Sequence, residues 1–502
     1  MDTTEPPVRV RGHPAARRHD GAMTSSPAPA GPSVVRLGEA RGRWVVLATV
    51  LGSGVASLDA TVVNIALPAI GRGLDAGLSG LQWTLNGYTL TLAAFILLGG
   101  SLGDLMGRRR VFVWGAIAFA LTSVLCAVAP SIGVLVAARL LQGAAGALLT
   151  PGSLAILAAV FEGDDRARAI GAWSGFSGLT GAAGPFVGGW LIDALSWRWI
   201  FLLNVPLVAV VVAVTLRHVP ETRDAESVRG VDVAGAVLGA LSLGALTYGL
   251  IGAGAGDRPV VWVPCLVVAA AAAAGFAVNE RRSRHPMLPL DIFSSRRFTA
   301  TNAVTFVMYG ALAGVFFVLV LQARLVAGFS PLASGAALLP VTVLMLFGSS
   351  RAGGLAARFG PRPFMTVGPV VSGLGLLLLL RVGPGASFVL DVLPPIVVFG
   401  LGLTLTVAPL TATVLTAAPA RHAGVASGVN NAVARTAGLV SVAVLPLAVG
   451  LGDSAFGDPT AFDAGFDRAV IGCAVALVVA GVLSALTVGG RDLHDDRPAT
   501  AG

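Results

Sequence analysis

The chain has no lysine, so each of its 34 basic side chains is an arginine. Charge of either sign is scarce: Asp, Glu and Arg make up 12% of the residues, against 55% hydrophobic ones. Soluble domains carry about 25% charged residues, so this composition, with mean hydropathy +0.82, excludes a chain that faces water on all sides. A pI near 10.7 would suit nucleic acid in a soluble protein. Here the arginines gather in links between apolar runs, and no nucleic-acid partner is expected. The histidines, His13, His19, His218, His285, His422 and His494, all lie in links or tails, which excludes a histidine proton relay. Cys126, Cys265 and Cys473 are an odd set inside apolar runs without metal-ligand spacing, so they read as small core residues. With no zinc, phosphate-loop or nucleophile-triad pattern, an enzyme is not expected, and neither is a bound metal or cofactor.

What the chain has is long apolar runs. Fourteen can be marked, at 44–70, 80–102, 111–129, 132–160, 169–192, 200–216, 231–252, 260–278, 299–323, 332–350, 364–380, 388–417, 425–450 and 466–488. A helix crosses about 30 Å of hydrocarbon with about 20 residues, and it bonds its own backbone there. The expectation is an all-α integral membrane protein with 14 transmembrane helices. Cytoplasmic links should hold the excess of arginine. Alternating the links from a cytoplasmic N-terminus puts 26 Arg inside, six outside (Arg72, Arg198, Arg258, Arg324, Arg381, Arg468) and two within spans (Arg139, Arg435). Both termini then lie inside. Residues 1–40, rich in Pro, Ala, Arg and Ser without periodicity, read as a disordered cytoplasmic tail, with Met23 an alternative start. The first apolar run is too long for a secretory signal. Polar links at 217–230 and 279–298 bracket two helices. The expected layout is a six-helix bundle at 41–218, a two-helix insert with linkers at 219–297, a second bundle at 298–490 and a tail at 491–502.

A short charged clip, Gly100-Ser101-Leu102-Gly103-Asp104-Leu105-Met106-Gly107-Arg108-Arg109-Arg110, joins the second and third runs. It returns 253 residues later as Gly353-Gly354-Leu355-Ala356-Ala357-Arg358-Phe359-Gly360-Pro361-Arg362, with Ala357 in the place of Asp104. A link repeated between two halves of a membrane bundle points to a duplicated transporter. Gly100, Gly103 and Gly107 permit close helix approach and a tight turn. Asp104 can accept from helix N-terminal amides and pair with Arg108 or Arg109, latching the cytoplasmic side.

Asp59 stands near mid-membrane in the first run, and no other spanning run has a carboxylate so deep. A charged Asp there costs about 3 kcal/mol on insertion scales, so it should face a watery cavity or bind a proton for part of a cycle. A proton and a cationic substrate competing for it would couple their opposed movements. A structural Asp bonded to Thr61 or Asn64 is the bland alternative. Arg139 shares a helix face with Gln142 and Gly143 and can tune a neighbouring carboxylate. Arg435 is the other deep charge, beside Asn430 and Asn431. It could bond carbonyls, pair across a central cavity or meet an anionic part of a substrate.

Leu58-Asp59-Ala60-Thr61-Val62-Val63-Asn64-Ile65-Ala66-Leu67-Pro68 in the first run, Arg139-Leu140-Leu141-Gln142-Gly143 in the fourth and Gly184-Pro185-Phe186-Val187-Gly188-Gly189 in the fifth form a set with Trp197-Arg198-Trp199-Ile200-Phe201 and Asn204-Val205-Pro206. Over about residues 41–490 this set resembles the major facilitator superfamily, and within it the fourteen-span drug:proton antiporters. The resemblance implies two six-helix bundles working by alternating access, a proton-relay role for Arg139 beside Asp59, and a bend at Gly184, Pro185, Gly188 and Gly189. Thr180 departs from the family's usual glycine. The expected function is export of amphiphilic small molecules such as drugs, antibiotics or antiseptics from a bacterial-type cytoplasmic membrane, driven by the proton motive force. Expected partners are the lipid bilayer, protons and small amphiphilic substrates, with the chain a monomer. The candidate cavity wall comprises Asn64, Trp83, Tyr88, Gln142, Phe306, Tyr309, Asn430, Asn431 and Arg435. Proton symport of a metabolite and a non-transporting membrane sensor are the alternatives.

Overall fold

In hydrocarbon a chain must satisfy its own backbone, which turns the apolar runs into helices. The computed structural model describes residues 35–223, 232–283, 286–288, 290–417, 423–452 and 457–488. Most of both expected tails lies outside these residues. Val35 is buried and the Leu37 amide donates to the Asp165 carboxylate at 2.9 Å, so ordered packing begins ahead of residue 41.

The first half consists of α1 (Ala40–Leu74), α2 (Leu78–Met106), α3 (Arg108–Ala127), α4 (Ile132–Val160), α5 (Gly163–Ala194), the single turn α6 (Trp199–Leu202) and α7 (Asn204–His218). Two helices follow, α8 (Val233–Ala255) and α9 (Pro259–Arg282). The second half holds α10 (Arg296–Leu325), the short α11 (Pro331–Ala336), α12 (Leu339–Phe359), α13 (Pro361–Leu378), α14 (Leu393–Thr416), α15 (Ala423–Val449) and α16 (Pro459–Thr487). Among the described residues 13 helices are long and apolar enough to cross a membrane, α6 with α7 and α11 with α12 each counting as one. The remaining expected span, 169–192, falls in α5. That helix is long enough at 32 residues, but Gly, Ser and Thr dilute its apolar residues and it is not among the 13. The expected count of fourteen therefore rests on α5.

The duplication is visible in the packing. In the first half α2 lies on α4, α1 on α5, α3 on α4, and α7 on both α1 and α3. The second half repeats this plan with α12 on α14, α10 on α15, α13 on α14, and α16 on both α10 and α13. Each clip turns at one glycine with positive φ, Gly107 at 109° and Gly360 at 86°. A side chain at either would be strained, which explains why glycine recurs at the same offset.

The halves touch through α5 against α11 and α12, α2 against α15, and α1 against α10. Among the described residues the hydrogen bonds that join them all lie at the end away from the clips. Gln82 Nε2 donates to the Val442 carbonyl at 2.7 Å, and the Leu332 amide donates to Asp193 Oδ2 at 2.9 Å. Of the α8–α9 pair, α8 leans on α2 and α15, covering a seam between the halves.

Candidate functional site

Asp59 sits midway along α1 and Arg139 on α4, each 1% exposed. Arg139 Nη1 lies 2.5 Å from Asp59 Oδ2. An ion pair so enclosed needs its remaining polar atoms satisfied, and five helices supply the partners. Asp59 Oδ1 accepts from Gln142 Nε2 at 3.0 Å and from Asn204 Nδ2 at 2.8 Å. Both amides also donate to Ser123 Oγ, at 2.9 and 3.2 Å. Arg139 Nη1 reaches Gln142 Oε1 at 2.7 Å, and its Nε donates to the Thr84 carbonyl at 3.1 Å. The guanidinium lies over the Tyr88 ring at 4.3 Å, with Phe201 at 5.8 Å. Removing one partner of such a pair typically costs about 3–5 kcal/mol, because the other is left buried and unpaired.

This geometry unites two residues that the sequence marked separately. It also bears on three expectations. In this conformation both oxygens of Asp59 are engaged, so neither stands open to a cationic substrate. Asp59 turns to α4 and α7 for its bonds, and neither Thr61 nor Asn64 is among its partners; Thr61 Oγ1 donates to the Leu58 carbonyl at 2.9 Å. Gln142 and Tyr88 are not cavity walls, since Gln142 is fully buried inside the network and Tyr88 packs beneath Arg139. Ser123, Thr84 and Asn204 had no assigned role, and Cys126 Sγ meets Gln142 Oε1 at 3.5 Å. The available signal was a polar side chain inside an apolar run, which Ser123 and Asn204 share with many helix-packing residues.

The Gly-Pro-x-x-Gly-Gly element lies on α5, and its small residues create two contacts. A Cβ on Gly184 would run into Thr61 Oγ1, and one on Gly188 would sit 2.8 Å from Val62 Cγ1. Those glycines let α5 close onto α1 within a turn of Asp59. A Cβ on Gly189 would lie 2.6 Å from the Pro331 carbonyl oxygen, and one on Gly335 would collide with the Pro185 carbonyl oxygen. α5 therefore binds α1 on one face and α11 of the other half on another. The helix runs unbroken through Pro185, and close approach is what the motif supplies here. Thr180 faces Gly54, where a Cβ would meet its Oγ1 at 2.9 Å.

At the first clip Asp104 Oδ1 accepts from Arg108 Nε at 2.9 Å, the expected pairing. The amide-accepting role falls to Glu221, which the sequence reading passed over. Its Oε1 accepts from the Arg109 amide at 3.1 Å, and its Oε2 lies 3.8 and 3.7 Å from Arg109 and Arg110 Nε. Arg109 Nη1 also donates to the Val219 carbonyl at 3.2 Å, and the Arg108 amide to the Thr222 carbonyl at 3.0 Å. The clip is thus tied to the segment leaving α7, inside its own half. Gly100 lies near Pro151 and Gly103 near Arg108.

The other candidates disperse. Trp83 stands against Tyr248 of α8, ring centroids 6.0 Å apart, in a groove formed with α4. Phe306 lines an apolar cavity of about 420 Å³ walled by α2, α8, α9 and α15. Tyr309, Asn430 and Asn431 line a recess of about 100 Å³ inside the second half, where Asn430 Oδ1 accepts from Thr305 Oγ1 at 2.9 Å. Asn64 is half-buried on α1, its Oδ1 without a partner. Arg435 is half-buried midway along α15, its Nε enclosed and unbonded.

Comparison with known proteins agrees with this architecture. The Multidrug resistance protein Stp of Mycobacterium tuberculosis is 36% identical over 80% of this chain and 74% of its own length. The Tetracenomycin C resistance and export protein of Streptomyces glaucescens is 35% identical over 81% of this chain and 76% of its own. A solved POT family transporter in complex with 5-aminolevulinic acid superposes with a TM-score of 0.68, covering 90% of this chain and 96% of that one at 14% identity, a likeness of fold. Residues 49–443 match the profile of the Major Facilitator Superfamily, and with a duplicated six-helix plan and relatives of this kind the chain is a multi-pass membrane protein that belongs to that superfamily.

Proposed function

We propose that the protein exports amphiphilic small molecules across a bacterial cytoplasmic membrane in exchange for inward-moving protons, by alternating access of its two six-helix halves. The observation that carries this reading is the sealed Asp59–Arg139 pair, whose acid is the one carboxylate midway along a spanning helix among the described residues. Arg139 cannot give up its proton, which leaves Asp59 as the group to carry the coupled proton in this reading. Protonation removes the charge that holds Arg139, and the five-helix network must rearrange. Thr61, two residues beyond Asp59, abuts Gly184, and α5 carries any shift to Pro331 through Gly189. Each inward proton supplies about 2.3 kcal/mol per 100 mV of membrane potential.

The arginine excess supports an orientation with both clips and both termini on the cytoplasmic side. The halves are then bonded at the external end, the arrangement that admits cargo from inside. Resistance and export in the relatives' names favour outward transport over uptake. The test is an imposed proton gradient, acid inside, across everted membrane vesicles. Vesicles with the protein should accumulate a fluorescent amphiphile that control vesicles do not. Uptake into right-side-out cells under an inward proton gradient would mean symport, and no flux of any compound in a broad panel would mean a sensor.

A further inference from the structure

The deep charges of the two halves do not balance. Asp59 and Arg139 neutralise one another, and every oxygen of Asp59 is bonded within its own half. Arg435 is left over. It makes no hydrogen bond or ion pair among the described residues, and its Nε is buried without a partner. An arginine midway along a spanning helix is costly unless water or an anion meets it, and among the described residues no carboxylate acts on it; the titratable group within its electrostatic reach is Tyr88 of the other half.

Its direction is given by its neighbours on α15. Residues seven before and seven after lie on the same helix face. Of these, Gly428 lies against Leu97 of α2, and the Val442 carbonyl accepts from Gln82 of α2. Arg435 therefore points at the seam between the halves, where cargo must pass. One turn toward the clips on that face is Asn431, exposed and lining the recess of about 100 Å³.

We infer that Arg435 binds the negative group of the cargo, so that the transported class is amphiphilic acids, carboxylates or acidic phenols, in preference to lipophilic cations. This rests on the export reading above. A cation entering the seam meets an unopposed positive charge and no open carboxylate. An acid meets a guanidinium already stripped of part of its solvent, where a charge-assisted bond is strong.

The purified full-length chain can be titrated with a matched pair of probes, 2-naphthoate and 2-naphthylmethylammonium, with binding followed by thermal shift. The acid should bind the wild type at least about tenfold tighter than the ammonium. Arg435→Gln should erase that difference, and Arg435→Lys should retain the order. Should Arg435→Gln fail to fold, the order of the two probes on the wild type decides. Equal or reversed affinities, an acid preference unaltered in Arg435→Gln, or no binding of either probe overturns the inference. Failure of the export reading is distinguishable: the acid preference would persist in the purified protein while everted vesicles show no proton-driven flux of naphthoate.

Discussion

In the first half, Asp59 and Arg139 lie 2.5 Å apart and are closed in by Gln142, Asn204 and Ser123; in the second, Arg435 occupies comparable depth with no partner. The same helix plan surrounds both. A charge neutralised within its own half can stay dry while the halves rock, and only a proton needs to reach it. An unpaired charge on the seam is instead exposed to whatever enters. On the function proposed above, duplication leaves one half for coupling and the other for recognition.

The largest effects should come from breaking that asymmetry. Arg139→Gln strands Asp59 in a buried site and should cost about 3–5 kcal/mol, while Arg435→Gln removes a costly charge that has no partner and should cause no comparable loss. Thermal denaturation in detergent compares the two. Equal losses would mean that Arg435 is as well paired as Arg139. The double variant Asp59→Asn/Arg139→Gln should lose less than the sum of the single ones, because each single change leaves an orphan.

Next in size is the bond between the halves. Gly335→Leu places a side chain on the Pro185 carbonyl and should cost about 1–3 kcal/mol of the closed external end. Cysteines placed near Asp193 and Leu332 should become reactive to a membrane-impermeant thiol reagent in that variant and stay protected in the parent. Unchanged protection would show that α5 and α11 part without consequence.

The clips differ more modestly. Gly107→Ala adds strain at φ 109° and sets a Cβ 2.6 Å from Glu221 Oε1, so it should destabilise by about 1–2 kcal/mol. Asp104→Ala, which makes the first clip resemble the second at Ala357, removes a half-exposed pair with Arg108 and should cost less than about 1 kcal/mol. Thermal shifts rank the two, and the reverse order would move the weight of the clip from Glu221 to Asp104.

Much of this was legible in the chain. All fourteen apolar runs could be marked because hydrocarbon thickness sets helix length, and thirteen of them return as helices apolar enough to span, α5 falling short because polar and small residues lower its apolar content while its length persists. Asp59, Arg139 and Arg435 stood out because charge at that depth is expensive. Their pairing was hidden: Asp59 and Arg139 are 80 positions apart, and nothing local distinguishes a paired arginine from a free one. Trp83, Tyr88 and Phe306 could not be sorted among lipid, core and cavity, since aromatic rings suit all three. Glu221 went unnoticed because its stretch of linker, with Arg223, Asp224 and Glu226 nearby, reads as solvated charge.

The central claim is that Asp59 carries the coupled proton, and the direct measurement is proton movement evoked by substrate in everted vesicles. Adding an exported amphiphile to energised wild-type vesicles should release protons from the lumen, and Asp59→Asn vesicles holding equal amounts of folded protein should release none. Undiminished release in Asp59→Asn would contradict the account.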